Sequence, residues 1–121
     1  MYDHISLKVK NFAKSRRFYE NALKPLGYTV QSQDESSAGF GTSAATALWI
    51  SAGAPASAEV HIAFAAPSRA AVGAFHVGAL EAGGRDNGKP GLRENYGPTY
   101  YAAFAHDPDG NNIEAVCHAK K

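Results

Sequence analysis

Residues 2–9 alternate, with Ile5, Leu7 and Val9 on one face and His4, Ser6 and Lys8 on the other, which predicts a half-buried strand. Asn11 is placed to cap a helix whose apolar stripe runs through Ser15, Phe18, Tyr19, Ala22, Leu23 and Leu26 and stops at Pro25 and Gly27. Three short strands are expected next, near 28–33, 37–42 and 46–51, before the small and turn-forming residues of 51–58 break the periodicity. A second alternating segment then fills 59–66, and Ser68 can cap a helix carrying Val72, Phe75, Ala79 and Leu80 up to Gly83 and Gly84. Residues 85–98 read as a long Gly- and Pro-rich connection. The chain closes with a strand to about 106, a turn at Asp107-Pro108-Asp109-Gly110, and a final strand.

This order repeats because the sequence does. The offset that separates His4-Ile5 from His61-Ile62 also carries Ala13 onto Ala70, Phe18 onto Phe75, Ala22-Leu23 onto Ala79-Leu80 and Gly27 onto Gly84. An internal duplication of a βαβββ unit follows, an α+β fold whose mixed sheet can curl around a cupped site. The reading divides one domain of residues 1–121 into a first module to about residue 52, a linker at about 53–58, and a second module over about 59–121.

Composition narrows the function without naming it. At 121 residues, 45% of them apolar or aromatic, the chain can build one core. Twelve basic residues against eleven acidic ones, with no charged block, give no reason to expect nucleic acid or an anionic membrane as partner. A small-molecule partner fits better. The single cysteine, Cys117, has no internal disulfide partner, and the segment after Met1 passes straight into a strand pattern, so a cytoplasmic protein is the expectation.

The candidate chemistry comes from the repeat. His4 and His61 lead equivalent strands, and Glu114 lies on the last strand on the face opposite Ile113, Ala115 and Cys117. Two imidazoles and a carboxylate can hold a divalent ion while leaving positions open for substrate oxygens. Fe, Mn, Ni and Zn all suit such donors. Residues weighed for the pocket wall are Trp49, Arg93, Tyr96, Tyr100 and Tyr101, with Tyr100 and Tyr101 on opposite faces of their strand. His76 reads as a helix-surface residue and Cys117 as a small buried one.

The segments HISLKV with FYENALKPLGY, HIAF, and DPDGNNIEAV, in this order, resemble the vicinal oxygen chelate (VOC) superfamily of glyoxalases, bleomycin resistance proteins and extradiol dioxygenases. The resemblance spans nearly the whole chain. It implies paired βαβββ modules, a metal held by His4, His61 and Glu114, and a homodimer. It also implies a metal-dependent enzyme in which the ion polarises an oxygen-bearing substrate by lyase, dioxygenase or resistance-type transferase chemistry. The alternative within the same family is a metal-free protein that binds or sequesters a ligand, as in bleomycin resistance. Glyoxalase I-like sites use a further carboxylate from the first module, where this chain has Trp49, so true glyoxalase activity is the less favoured branch. No general base is apparent.

Overall fold

The computed structural model describes all residues, Met1–Lys121. The first module comprises β1 (Ile5–Val9), α1 (Phe12–Leu23) with a short 3-10 turn at Lys24–Leu26, β2 (Thr29–Gln33), β3 (Ser37–Thr42) and β4 (Ala45–Ala52). The second comprises β5 (His61–Ala65), α2 (Arg69–Glu81), β6 (Arg85–Leu92), β7 (Tyr101–His106) and β8 (Asn112–Cys117). Both helices begin where a polar side chain can accept from an otherwise orphaned backbone donor: Asn11 from the Lys14 N–H and Ser68 from the Ala71 N–H. Each cap contributes about 1 kcal/mol.

The expected curl is built from two separately hydrogen-bonded sheets, ordered β1-β4-β3-β2 and β5-β8-β7-β6. In each, the leading strand runs parallel to the last strand of its module. One face of each sheet is closed by the helices, which also pack on each other. Phe18, Tyr19, Phe40, Ile50, Val72, Phe75 and Ile113 are fully buried in one continuous core. The helices cross at Gly78, where a Cβ would collide with the Asn21 carbonyl oxygen, so the close approach excludes any larger residue. The opposite faces stay open: His4 just before β1 with Ser6 and Lys8 on it, and His61, Ala63 and Ala65 on β5, all remain exposed.

Two expectations need correcting. Residues 85–92, read as part of a connecting loop, form β6, an edge strand paired antiparallel with β7. Its glycines and Pro90 hide it from a periodicity reading because they serve irregularities in the ladder, which shifts between Asp86 and Gly88 and again between Gly88 and Gly91. His76, expected on the helix surface, is buried and donates from Nε2 to Asp86 Oδ1 at 2.9 Å. It occupies the position of the buried Tyr19 in the repeat, where a polar tip on a core-facing side chain needs a partner in either half.

The modules are also joined by polar contacts. The Tyr19 hydroxyl donates to buried Asp107 at 2.5 Å, and Asp107 further accepts from the backbone N–H groups of Asp109 and Asn111 and from the Asn111 side chain. Burial, and then the neighbouring Asp107 charge, push the Tyr19 pKa well above that of an ordinary tyrosine, so it stays a donor.

Candidate functional site

Glu114 is the centre of the polar constellation on the open face of the second sheet. The β7–β8 ladder places Phe104 beside it and the parallel β5–β8 register places Ala63 on its other side. Only 2% of Glu114 is exposed, an expensive position for a carboxylate without partners. It has two. His61 Nε2 stands 3.0 Å from Oε1, and the Tyr100 hydroxyl donates a short hydrogen bond to Oε2. Desolvation, followed by the bond to Glu114, pushes the Tyr100 pKa up to about 12, which keeps this donor protonated at neutral pH.

The orientation of His61 is fixed from behind. Its Nδ1 lies 3.0 Å from the Asn112 carbonyl oxygen, which can only accept, so Nδ1 carries a proton and Nε2 faces Glu114. The Asn112 side-chain oxygen accepts in turn from Asn87 on β6. The imidazole also lies nearly parallel to the Phe104 ring, with centroids 6.3 Å apart and planes inclined by 21°. These contacts hold the ring in one pose, with its outward nitrogen toward a carboxylate oxygen.

A neutral imidazole nitrogen and a carboxylate oxygen are both acceptors, and at 3.0 Å they require a positive charge between or upon them. Either a proton, carried by Nε2 or by the carboxyl, or a metal cation sits between the two atoms. For metal bonds of roughly 2.1 Å, two ligands at right angles stand about 3 Å apart, so the observed spacing fits adjacent positions in one coordination shell. The buried carboxylate, the fixed imidazole and the hydroxyl on the second carboxylate oxygen are the features by which metal sites hold their ligands in place.

His4 does not join this pair within the chain. It is half exposed, its Nδ1 is 2.7 Å from Asp3, and it borders a different cavity, of about 160 Å³, with Tyr2, Ile5 and Phe64. No group of three or more His, Cys, Asp or Glu side chains is placed to hold a metal ion. Trp49 lies at the ladder position equivalent to Glu114, since β4 pairs it with Ser6 as β8 pairs Glu114 with Ala63. It is half-buried against Gly39, outside the His61–Glu114 cavity.

That cavity, of about 440 Å³, is lined by His61, Tyr96, Tyr100, Phe104, Asn112 and Glu114. Tyr96 packs edge-on against Tyr100, with ring centroids 5.3 Å apart. A second polar cavity of about 310 Å³ adjoins it through Tyr96, Phe104 and Asn112 and contains Arg93. Tyr101 points away and stacks under the Arg69 guanidinium at 4.9 Å. Phe104 and Asn112 escaped the sequence reading. Asn112 acts through a backbone carbonyl, which any residue supplies, and Phe104 is one aromatic among many in an apolar strand.

The sequence profile of the Glyoxalase/Bleomycin resistance protein/Dioxygenase superfamily matches residues 2–115, and the chain belongs to that family. Among solved structures, it is similar to a glyoxalase/bleomycin resistance protein from Albidiferax ferrireducens T118, at 29% identity and a TM-score of 0.82 over 97% of this chain and 98% of that one. It shares its fold with a glyoxalase/bleomycin resistance protein/dioxygenase family enzyme from Burkholderia phytofirmans PsJN, at 14% identity, TM-score 0.73, and coverage of 97% and 98%. It also shares its fold with a lactoylglutathione lyase from Agrobacterium tumefaciens, at 15% identity, TM-score 0.68, and coverage of 97% and 92%. No curated protein sequence matches significantly. No helix is long and apolar enough to cross a membrane.

Proposed function

We propose that the protein is a divalent-metal-dependent enzyme acting on a small oxygen-bearing substrate, with His61 and Glu114 of one chain and His4 of a second copy as the protein ligands. The observation that carries this reading is the 3.0 Å approach of two acceptor atoms, each fixed from behind. A bound ion would polarise substrate oxygens at the positions the protein leaves open. Asn112 holds the His61 tautomer, Tyr100 orients Glu114, and the Phe104 ring shields one face of the imidazole from water.

The need for a second copy follows from the open sheet faces. His4 is exposed on one and the His61–Glu114 pair lies on the other, so a twofold dimer could lay the first module of one chain over the second module of its partner. Iron, manganese, nickel and zinc all suit this donor set. Metal-free ligand binding of the bleomycin-resistance type is the second reading, supported by the direct His61–Glu114 pairing without a third donor in the chain.

Calorimetric metal titration separates the two. His61→Ala, Glu114→Ala and His4→Ala should each weaken binding by more than the roughly 10- to 100-fold expected for Tyr100→Phe, which removes only an orienting contact. Mixing His4→Ala with His61→Ala subunits should restore tight binding at one site per dimer, because one pairing combines both intact residues. Wild-type affinity in all three ligand variants would reject the metal site; absence of rescue on mixing would reject the shared histidine.

A further inference from the structure

The cavity beside the His61–Glu114 pair is electrostatically unlike it. Arg93 follows β6, and no carboxylate lines the cavity it enters. Nor does Arg93 form an ion pair elsewhere in the chain. Its guanidinium is nevertheless held in place. Nη1 donates to the Gly91 carbonyl at 3.0 Å, Nη2 donates to the Lys89 carbonyl at 2.7 Å, and the group lies 5.4 Å above the Phe104 ring. Its backbone is fixed too, the Arg93 N–H donating to the Tyr100 carbonyl at 2.8 Å.

A guanidinium has five N–H donors, and those two carbonyls occupy only part of that fork. Neutral carbonyls orient the cation without cancelling its charge. Asn87 and Asn95 add amide groups to the same wall. A cation fixed in this way binds an oxyanion without first losing side-chain freedom, which is the condition for a selective contact. Phe104 links the two groups: the His61 ring centroid is 6.3 Å and the Arg93 guanidinium carbon 5.4 Å from the Phe104 ring, and the two cavities share Tyr96, Phe104 and Asn112.

We propose that Arg93 forms an anion subsite and that the substrate is a small compound with two chemically distinct ends: an oxygen-bearing end directed at the ion that His61 and Glu114 would hold, and a carboxylate directed at Arg93. The placement of the first end rests on the metal-dependent reading above; the carboxylate subsite rests on Arg93 and its cavity. Tyr100 couples the two, its hydroxyl bound to Glu114 and its carbonyl to the Arg93 backbone.

The test compares α-ketovalerate with α-ketoglutarate, which share a vicinal-oxygen head and chain length and differ in a methyl or a carboxylate at the far end. Each is titrated by calorimetry into the wild-type protein, Arg93→Gln and Arg93→Lys, with and without zinc. In the wild type the dicarboxylate should bind about tenfold more tightly or better, the strength of a charge-assisted contact. That ratio should fall to about one in Arg93→Gln and recover in part in Arg93→Lys, with α-ketovalerate affinity unchanged. The ratio is taken within each metal condition, so it remains readable if zinc has no effect, an outcome that would count against the metal reading alone. Equal affinity of the two acids in the wild type, no binding of α-ketoglutarate, or an Arg93→Gln variant that binds both acids as the wild type does would overturn the anion subsite.

Discussion

The two modules share a backbone plan yet differ where chemistry would occur. On β8, Glu114 sits between Ala63 and Phe104; at the equivalent point of β4, Trp49 sits between Ser6 and Gly39. The second module therefore sets a large ring beside a carboxylate, and the first sets a glycine on the corresponding side of a large ring. His4 and His61 begin equivalent segments, but only His61 finds a carboxylate across its sheet. Duplication supplies matched positions; one substituted pair of neighbours decides which copy carries a charged site.

The copies differ again at the core. Tyr19 reaches out of its module to Asp107, whereas His76, at the matching position, pairs with Asp86 in its own. The largest effect should come from breaking the first of these bonds. Asp107→Ala removes the acceptor for three turn donors and leaves the Tyr19 hydroxyl buried without a partner, a loss of about 3 kcal/mol or more in urea unfolding. Thr42→Ala, at the corresponding hairpin turn of the first module, removes only a long contact to the Ala44 N–H and should cost less than about 1 kcal/mol. Equal losses would show that the Asp107 network is not what distinguishes the halves.

A smaller effect tests the Gly39–Trp49 pair. A Cβ at Gly39 would come within 2.6 Å of Thr46 Cγ2 and 2.9 Å of the Trp49 ring, so Gly39→Ala should destabilise by about 1–3 kcal/mol. Part of that loss should disappear when Trp49→Val removes the ring contacts and leaves the one to Thr46, which a double-mutant cycle by thermal or urea unfolding measures directly. Strict additivity would mean that the indole does not require the glycine.

The smallest effect belongs to Asp86. Its carboxyl is held below the usual carboxylate range first by the Gly88 N–H and then by His76. A lowered folded-state pKa contributes stability above the unfolded pKa and loses it as pH falls through the folded value. Asp86→Asn should therefore flatten the stability profile on the acid limb below about pH 4. An unchanged acid limb would remove Asp86 from the account.

Much of this architecture is legible in the sequence. The repeat of His4-Ile5 in His61-Ile62, with its matched apolar positions, is enough to derive two βαβββ modules, because alternation and helical stripes directly record which face is buried. Both N-caps were legible for the same local reason. The place of β6 was not, since an edge strand with bulges lacks the apolar alternation that marks a half-covered one. Within the site, Glu114 was visible from its strand face, but its partners depend on ladder register: Tyr100 acts across β7–β8 and Asn112 through its carbonyl. His76 was misplaced because burial of a histidine depends on a tertiary partner, Asp86, supplied by that same unseen strand.

The bond between Tyr19 and Asp107 joins residues 88 positions apart, and that separation bears on the order of folding. Contacts so distant carry a large loop-closure cost and tend to form after hairpins and helices have gathered locally. An interaction absent from the transition state slows unfolding without speeding assembly. The hydroxyl–carboxylate link is thus expected to act as a latch: it adds little to how fast the two halves find each other and more to how long they stay together.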